Sequence, residues 1–138
     1  MKFLVMSERE ILNYNVKEPH IIISIKSPDS NRPIIPYRPN CLEILYLEFH
    51  DLDGVHFPSS VDYELISSSQ AKKVWEIVNI YKDKISLIIC QCEAGISRSA
   101  GVAGALSKVL NGKDTEIFKK YLPNMLVYRT ILKGEYSV

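Results

Sequence analysis

The stretch that decides the fold is LIICQCEAGISRSAGVAGALS, residues 87–107. It begins within an apolar segment, residues 85–91, that predicts a buried strand. It ends in small and apolar residues that predict a helix over residues 97–110. The loop between the two contains Cys92 and Arg98, six positions apart. A strand, a loop and a helix in this order indicate an α/β fold with a parallel sheet.

The remaining chain continues the alternation of strands and helices. Apolar and β-branched segments predict three further strands, at residues 2–6, 20–25 and 42–49. Helices are predicted at residues 7–14, 69–81, 114–121 and 124–132, with Ser7, Ser69, Asp114 and Asn124 as their capping residues. We therefore predict a single α/β domain over residues 1–138, with a mainly parallel central sheet flanked by helices. Such folds place their sites at the carboxyl ends of strands.

Composition and charge describe an ordinary globular protein. Seventeen Lys and Arg against sixteen Asp and Glu leave a net charge of +1, so we expect neither a nucleic-acid nor a membrane partner. The chain is 46 % hydrophobic and 24 % charged, which is typical of a folded core. Charges at Glu8 and Arg9 follow the first apolar residues too soon for a signal peptide, so we expect a cytoplasmic protein.

Three cysteines, an odd number, argue against a disulfide framework. Cys41 and Cys90 each lie in or beside an apolar strand, and we interpret both as buried hydrophobic residues.

The helix after the loop is rich in small residues, and we predict that it packs closely under the sheet. These residues are Ala100, Gly101, Ala103, Gly104 and Ala105.

The loop after the predicted strand has the residue types of an anion site. Backbone N–H groups at the positive end of the following helix can surround a phosphate, and the Arg98 guanidinium can bind two of its oxygens. The same surroundings favour the thiolate of Cys92, which is the nucleophilic form. Gly95 permits close approach of backbone to ligand, and the Ser99 hydroxyl can stabilise the sulfur as a leaving group. The candidate phosphate-binding residues are Glu93, Ala94, Gly95, Ile96, Ser97 and Arg98.

The segment from Cys92 to Ser99 resembles the C-x5-R-[S/T] loop of cysteine-dependent protein tyrosine phosphatases, and the short chain resembles their small dual-specificity type. The resemblance implies a tyrosine-phosphatase-like fold, a cysteinyl-phosphate intermediate, no metal and no other cofactor. It also implies a phosphorylated protein or a small phosphate ester as substrate. The family usually has His before the cysteine, whereas this chain has Gln91, so the usual histidine support of the thiolate is absent.

A phosphatase of this kind also needs a proton donor for the leaving oxygen. In the family this general acid lies in a loop just after a strand. Asp51, two residues past Phe49, matches that position best, and Asp53 is the second choice. The alternative interpretation is that both aspartates only shape the turn before Gly54.

Other functions fit parts of the same sequence. The segment from Leu45 to Gly54 also resembles the first motif of haloacid-dehalogenase-like phosphatases, in which an aspartate attacks phosphorus with the help of Mg²⁺. His50 and His56 beside the aspartates suggest a transition-metal site as a further alternative. A phosphate-binding module without turnover remains a third.

The sequence also indicates which substrates a phosphatase of this kind would accept. Glu93 disfavours polyanionic inositol lipids, because like charges repel. The proline-rich loop at residues 26–40 is a candidate substrate rim, with Arg32, Tyr37 and Arg38.

Overall fold

A computed structural model of the chain describes residues 1–52 and 63–135, and within them one four-stranded sheet. Its strands are β1 (Lys2–Met6), β2 (His20–Lys26), β3 (Cys41–Glu48) and β4 (Leu87–Gln91). They lie in the order β1-β4-β2-β3, and every neighbouring pair is parallel. The predicted α/β class with a parallel sheet is therefore confirmed.

Five helices occur in the described residues: α1 (Glu8–Ile11), α2 (Ser68–Tyr81), α3 (Arg98–Asn111), α4 (Thr115–Lys120) and α5 (Met125–Gly134). Within residues 1–52 and 63–135, none of them has the length and apolar character needed to cross a membrane.

The core lies on both faces of the sheet. Alternate residues of the central strands, such as Ile21 and Ile88, join the larger cluster with apolar residues of α2, α3 and α5. The other set, including Ile22 and Ile89, packs against Ile11 of α1 in a smaller cluster. The three consecutive isoleucines of β2 are fully buried, as expected for a strand covered on both sides.

Helix boundaries differ from the predictions at α1, α2 and α5, the last of which continues to Gly134 instead of ending at residue 132, and β4 begins at Leu87 instead of residue 85. Ser7 caps α1 in a reciprocal arrangement with Glu10, but the helix ends at Ile11 instead of continuing to residue 14. Tyr14 is instead buried, and its hydroxyl lies 3.1 Å from Nε2 of His20, so a tertiary contact overrides helix continuation. α2 begins at Ser68 with Ser67 as its cap, two residues before the predicted Ser69. The reason is Gln70, whose side chain accepts from the Ser67 backbone N–H while its own N–H donates to the Ser67 hydroxyl.

The cap of α4 also differs from the prediction. Asp114 stands at the N-cap position but makes no capping hydrogen bond with its side chain. Its Oδ2 accepts a hydrogen bond from the Tyr128 hydroxyl instead. Burial, together with this carboxylate, raises the pKa of Tyr128 to about 12. Asp114 therefore links α4 to α5, whereas Asn124 caps α5 as predicted by accepting from the Val127 N–H.

α3 packs against the sheet as predicted, with Ala100, Ala103 and Ala105 in the larger core cluster, but its two glycines serve a different contact. A Cβ on Gly101 would lie 2.8 Å from the Asn124 carbonyl oxygen and 3.0 Å from the Val127 side chain. Gly104 faces Tyr128 and Ile117. The two glycines therefore bring α3 close to α5 and α4, not to the sheet, and this contact places Asn124 beside the start of α3.

Candidate active site

The loop that carries Cys92 lies between β4 and α3 and is held against the end of β1. The Cys92 N–H donates to the Met6 carbonyl at 3.2 Å, and the Glu8 N–H donates to the Glu93 carbonyl at 3.0 Å. Gly95 has a φ of +69°, and a Cβ at this position would lie 2.4 Å from the Ser7 nitrogen. Contact with the β1–α1 junction therefore requires glycine here.

Cys92 and Ser99 meet inside this loop. The Cys92 sulfur lies 3.0 Å from the Ser99 Oγ, and both side chains are buried. A hydroxyl at that distance can donate to a thiolate. The two side chains that the sequence assigns to the nucleophile and to its support are thus in direct contact.

Arg98 is held by groups from two other strand ends. Its Nη1 donates to the Ser27 hydroxyl at 2.9 Å and to the Phe49 carbonyl at 2.8 Å. Its Nη2 lies 3.7 Å from Oε1 of Glu93. The residue is only 5 % exposed, and its buried Nε has no hydrogen-bond partner among the described residues. A buried donor of a charged group without a partner is costly, and Arg98 Nε is the one buried side-chain atom among the described residues in this situation.

Glu93, directly after Cys92, lies at the rim of the loop. Its Oε1 accepts from the Ser30 hydroxyl at 2.9 Å and from the Ser27 N–H at 3.3 Å. Partial burial acts to raise the pKa of Glu93, but these hydrogen bonds and the Arg98 charge outweigh it and lower the pKa. Glu93 is therefore a fixed negative charge beside Arg98.

Asp51 reaches the loop from the end of β3. Its Oδ1 accepts from the Ser97 hydroxyl and from the Asn124 Nδ2, both at 2.9 Å. The Asn124 Nδ2 also donates to the Leu52 carbonyl, and the Asn124 N–H donates to the Ser97 carbonyl, each at 2.9 Å. The first-choice acid thus lies against the loop of Cys92. The second choice, Asp53, lies outside the described residues.

The remaining candidate residues have other surroundings. Gln91 is buried and accepts a hydrogen bond from the Ser24 hydroxyl, so a serine of β2 contacts the residue that replaces the family's histidine. Cys90 is fully buried, and burial together with the nearby Cys92 raises its pKa, in agreement with its interpretation as a hydrophobic residue. Cys41 is half-buried, and this burial raises the pKa of its thiol.

Within the described residues the histidines form no metal cluster, and Arg32 and Arg38 of the proline-rich loop lie against tyrosine rings. His50 accepts at Nδ1 from the Glu64 N–H, and its Nε2 lies 3.6 Å from Asp29. His56 lies outside the described residues, and within residues 1–52 and 63–135 no three metal-binding side chains cluster. Arg32 covers the ring of Tyr46, and Arg38 donates to the Tyr14 carbonyl.

Sequence reasoning missed three residues of this site: Ser27, Ser30 and Asn124. Ser27 and Ser30 belong to the segment Ser-Pro-Asp-Ser, a turn composition directly after a strand. Because β2 and β4 are parallel neighbours, their carboxyl ends lie side by side, and the turn after β2 therefore lies beside Cys92. The sequence predicts Asn124 only as a helix cap, because nothing local indicates its contact with Asp51.

Comparison with known proteins identifies the fold. No protein-family profile and no curated protein sequence matches the chain. The crystal structure of a human tyrosine phosphatase-like serine/threonine/tyrosine-interacting protein superposes with a TM-score of 0.57 at 21 % identity, over 85 % of this chain and 76 % of that one. A mouse putative dual specificity phosphatase complexed with zinc tungstate superposes with a TM-score of 0.52 at 18 % identity, over 85 % and 70 %. The chain therefore has the fold of tyrosine- and dual-specificity-phosphatase-like proteins.

Proposed function

We propose that this protein is a phosphate-monoester hydrolase of the protein tyrosine or dual-specificity type, with Cys92 as its nucleophile. The observation that carries the proposal is the buried Arg98 guanidinium, whose Nε has no partner among the described residues. Its Nη1 is already bound to Ser27 and Phe49, so the edge formed by Nε and Nη2 is the one that can bind two phosphate oxygens. The phosphatase-like fold of the chain supports the same conclusion.

The proposed reaction has two steps. In the first, the Cys92 thiolate attacks phosphorus, the bond to the leaving oxygen breaks, and Asp51 protonates that oxygen. The backbone N–H groups of residues 93–98 and the Arg98 side chain hold the three equatorial oxygens. In the second, Asp51 accepts a proton from water as the water oxygen attacks phosphorus. The sulfur–phosphorus bond then breaks, and the Ser99 hydroxyl stabilises the departing thiolate.

The proposed substrates are phosphotyrosine, phosphoserine and phosphothreonine in proteins, and small phosphate esters. The fixed charge of Glu93 at the rim disfavours ligands with several phosphates, because a second phosphate would meet a carboxylate.

A phosphate-binding module without turnover is the second candidate, because the hydrogen bonds of Asp51 limit how it can act as an acid. Ser97 and Asn124 both donate to its Oδ1, so Oδ2 is the one oxygen left to carry and donate the proton that a general acid supplies. The human protein of similar fold is itself described as phosphatase-like and interacting. The magnesium-dependent aspartyl phosphatase has less support, since both similar structures are of the tyrosine- or dual-specificity-phosphatase-like type.

Hydrolysis of an aryl phosphate with and without EDTA, for the wild type and for Cys92→Ser, separates these functions. The hydrolase should be active and unaffected by EDTA, and Cys92→Ser should reduce turnover to background while tungstate still binds, because the loop and Arg98 remain. A binding module would bind tungstate without turnover in either form. An aspartyl phosphatase would lose activity on chelation and regain it with Mg²⁺.

A further inference from the structure

We propose that Ser27, Ser30 and Glu93 form a clasp that positions the Arg98 guanidinium for oxyanion binding. These three are positioning residues, since they act through Arg98 and not on the substrate. The proposal rests on the proposed function only in taking the ligand to be a tetrahedral oxyanion. It concerns binding, so it is testable whether or not the protein turns a substrate over.

Ser27 joins the two ends of the Cys92 loop. Its hydroxyl accepts from the Arg98 Nη1 at 2.9 Å, and its backbone N–H donates to the Glu93 carboxylate at 3.3 Å. The residue after the nucleophile and the arginine at the start of α3 are thus tied to one residue of the neighbouring strand end. Because the guanidinium is planar, fixing Nη1 also fixes the direction of its Nε–Nη2 edge.

Glu93 completes the clasp from the other side. Its Oε1 holds the Ser30 hydroxyl and the Ser27 N–H, and lies 3.7 Å from the Arg98 Nη2. That separation exceeds a hydrogen bond, so Nη2 is attracted by the carboxylate but keeps its donors for a ligand. A negative charge this close to an anion site should by itself weaken anion binding. Its presence is explained if its role is to hold the turn and Arg98 in place.

The turn itself is anchored to the sheet. The Ser30 N–H and hydroxyl both donate to the Ser27 carbonyl, at 3.1 Å and 3.0 Å. The Lys26 ammonium donates to the Ser30 carbonyl at 2.8 Å and pairs with Glu48 of β3 at 3.1 Å. Pro28 restricts the backbone between the two serines. The clasp therefore positions Arg98 from a rigid support instead of from a loose loop.

The test measures the tungstate dissociation constant by calorimetry, together with KM and kcat for nitrophenyl phosphate, in matched variants. Ser27→Ala should weaken tungstate binding about 10-fold, and Ser27→Thr, which keeps the hydroxyl, should restore it to within about twofold. Glu93→Ala should weaken binding roughly 3- to 10-fold although it removes a negative charge, whereas Glu93→Gln, which keeps an acceptor oxygen and also removes the charge, should bind tungstate at least as tightly as the wild type. Ser69→Ala, at an exposed serine of α2, is the control and should match the wild type.

Whether Glu93→Ala weakens or strengthens tungstate binding decides the proposal. If Glu93 acts only as a charge, this variant binds tungstate more tightly than the wild type, and the clasp is wrong. Equal affinities for Ser27→Ala and the wild type would also overturn it, as would a wild type that binds no tungstate. A wild type that binds tungstate without hydrolysing nitrophenyl phosphate contradicts the hydrolase alone, and the tungstate series then still tests the clasp.

Discussion

Each nitrogen of the Arg98 guanidinium has a different environment. The role of this residue therefore depends on the shape of the guanidinium as well as on its charge. Nη1 donates to Ser27 and Phe49, Nη2 lies 3.7 Å from Glu93, and Nε has no hydrogen-bond partner among the described residues; the proposed oxyanion binds at the edge formed by Nε and Nη2. Arg98→Lys keeps the charge but cannot bind two oxygens and the Phe49 carbonyl together. We expect kcat/KM for nitrophenyl phosphate to fall roughly 10- to 100-fold. Kinetics close to the wild type would mean that Arg98 supports structure only.

Comparing substrates with different leaving groups shows whether Asp51 or Asp53 is the general acid. Nitrophenolate is a weak base that needs little protonation, whereas tyrosine, with a pKa of about 10, leaves with a proton. We expect Asp51→Asn to reduce hydrolysis of phosphotyrosine more than that of nitrophenyl phosphate, and to remove the basic limb of the pH–rate profile. Asp53→Asn should cause a small loss that is equal for both substrates. An exchange of the two results would assign the acid to Asp53.

The residues predicted from sequence are those whose partners lie nearby in the chain. Cys92, Arg98 and Ser99 belong to one eight-residue segment, so the segment itself indicates their proximity. Ser27 and Asn124 reach the same site through contacts across 71 and 73 positions of the chain. No local pattern encodes such contacts, because they depend on strand order and on the packing of α3 against α5.

At the scale of elements, the junction of β1 and α1 shapes the Cys92 loop. Gly95 combines a left-handed backbone with a position where a Cβ would overlap the Ser7 backbone, whereas Gly112 has a similar φ of +76° and open space around it. Gly112→Ala should therefore destabilise the protein by about 1 kcal/mol through backbone strain alone. Gly95→Ala should lower the free energy of unfolding by at least about 2 kcal/mol, because the backbone atoms of Met6 and Ser7 must also move.

Urea unfolding of the two glycine variants measures this difference, and tungstate affinity measured beside it reports on the loop. Only Gly95→Ala should weaken tungstate binding, since Gly112 lies at the far end of α3. Equal destabilisation by both variants would show that the backbone of the β1–α1 junction can move aside at little cost in free energy.

Elements were predictable where the signal is periodic or apolar, and less so where it depends on caps. β1 and the isoleucines of β2 have an apolar pattern, and both strands form as predicted. The start of α2 was displaced because Ser67, Ser68 and Ser69 are all possible caps, and only Gln70 three positions after Ser67 distinguishes them. α1 ends at Ile11, and Tyr14, which the predicted helix included, makes a buried edge-to-face contact with His20 instead.

For the molecule as a whole, four separate parts of the chain converge on one site. The turn after β2, the Phe49 carbonyl after β3, the loop after β4 and the start of α5 each hold part of it. A ligand that contacts Arg98 and the loop is therefore linked, through these hydrogen bonds, to three strands and two helices. Ligand binding should consequently stabilise the whole fold and not one loop alone.

Thermal unfolding with tungstate tests this linkage. A ligand at 100 times its dissociation constant stabilises the folded state by about 2.7 kcal/mol, which for a chain of this size raises Tm by roughly 10 °C. We expect that shift in the wild type and in Cys92→Ser, because neither the loop N–H groups nor Arg98 depends on the sulfur. Arg98→Ala, compared with its own Tm without tungstate, should lose most of the shift. If Arg98→Ala keeps the full shift, tungstate binds elsewhere, and the Cys92 loop is not the oxyanion site.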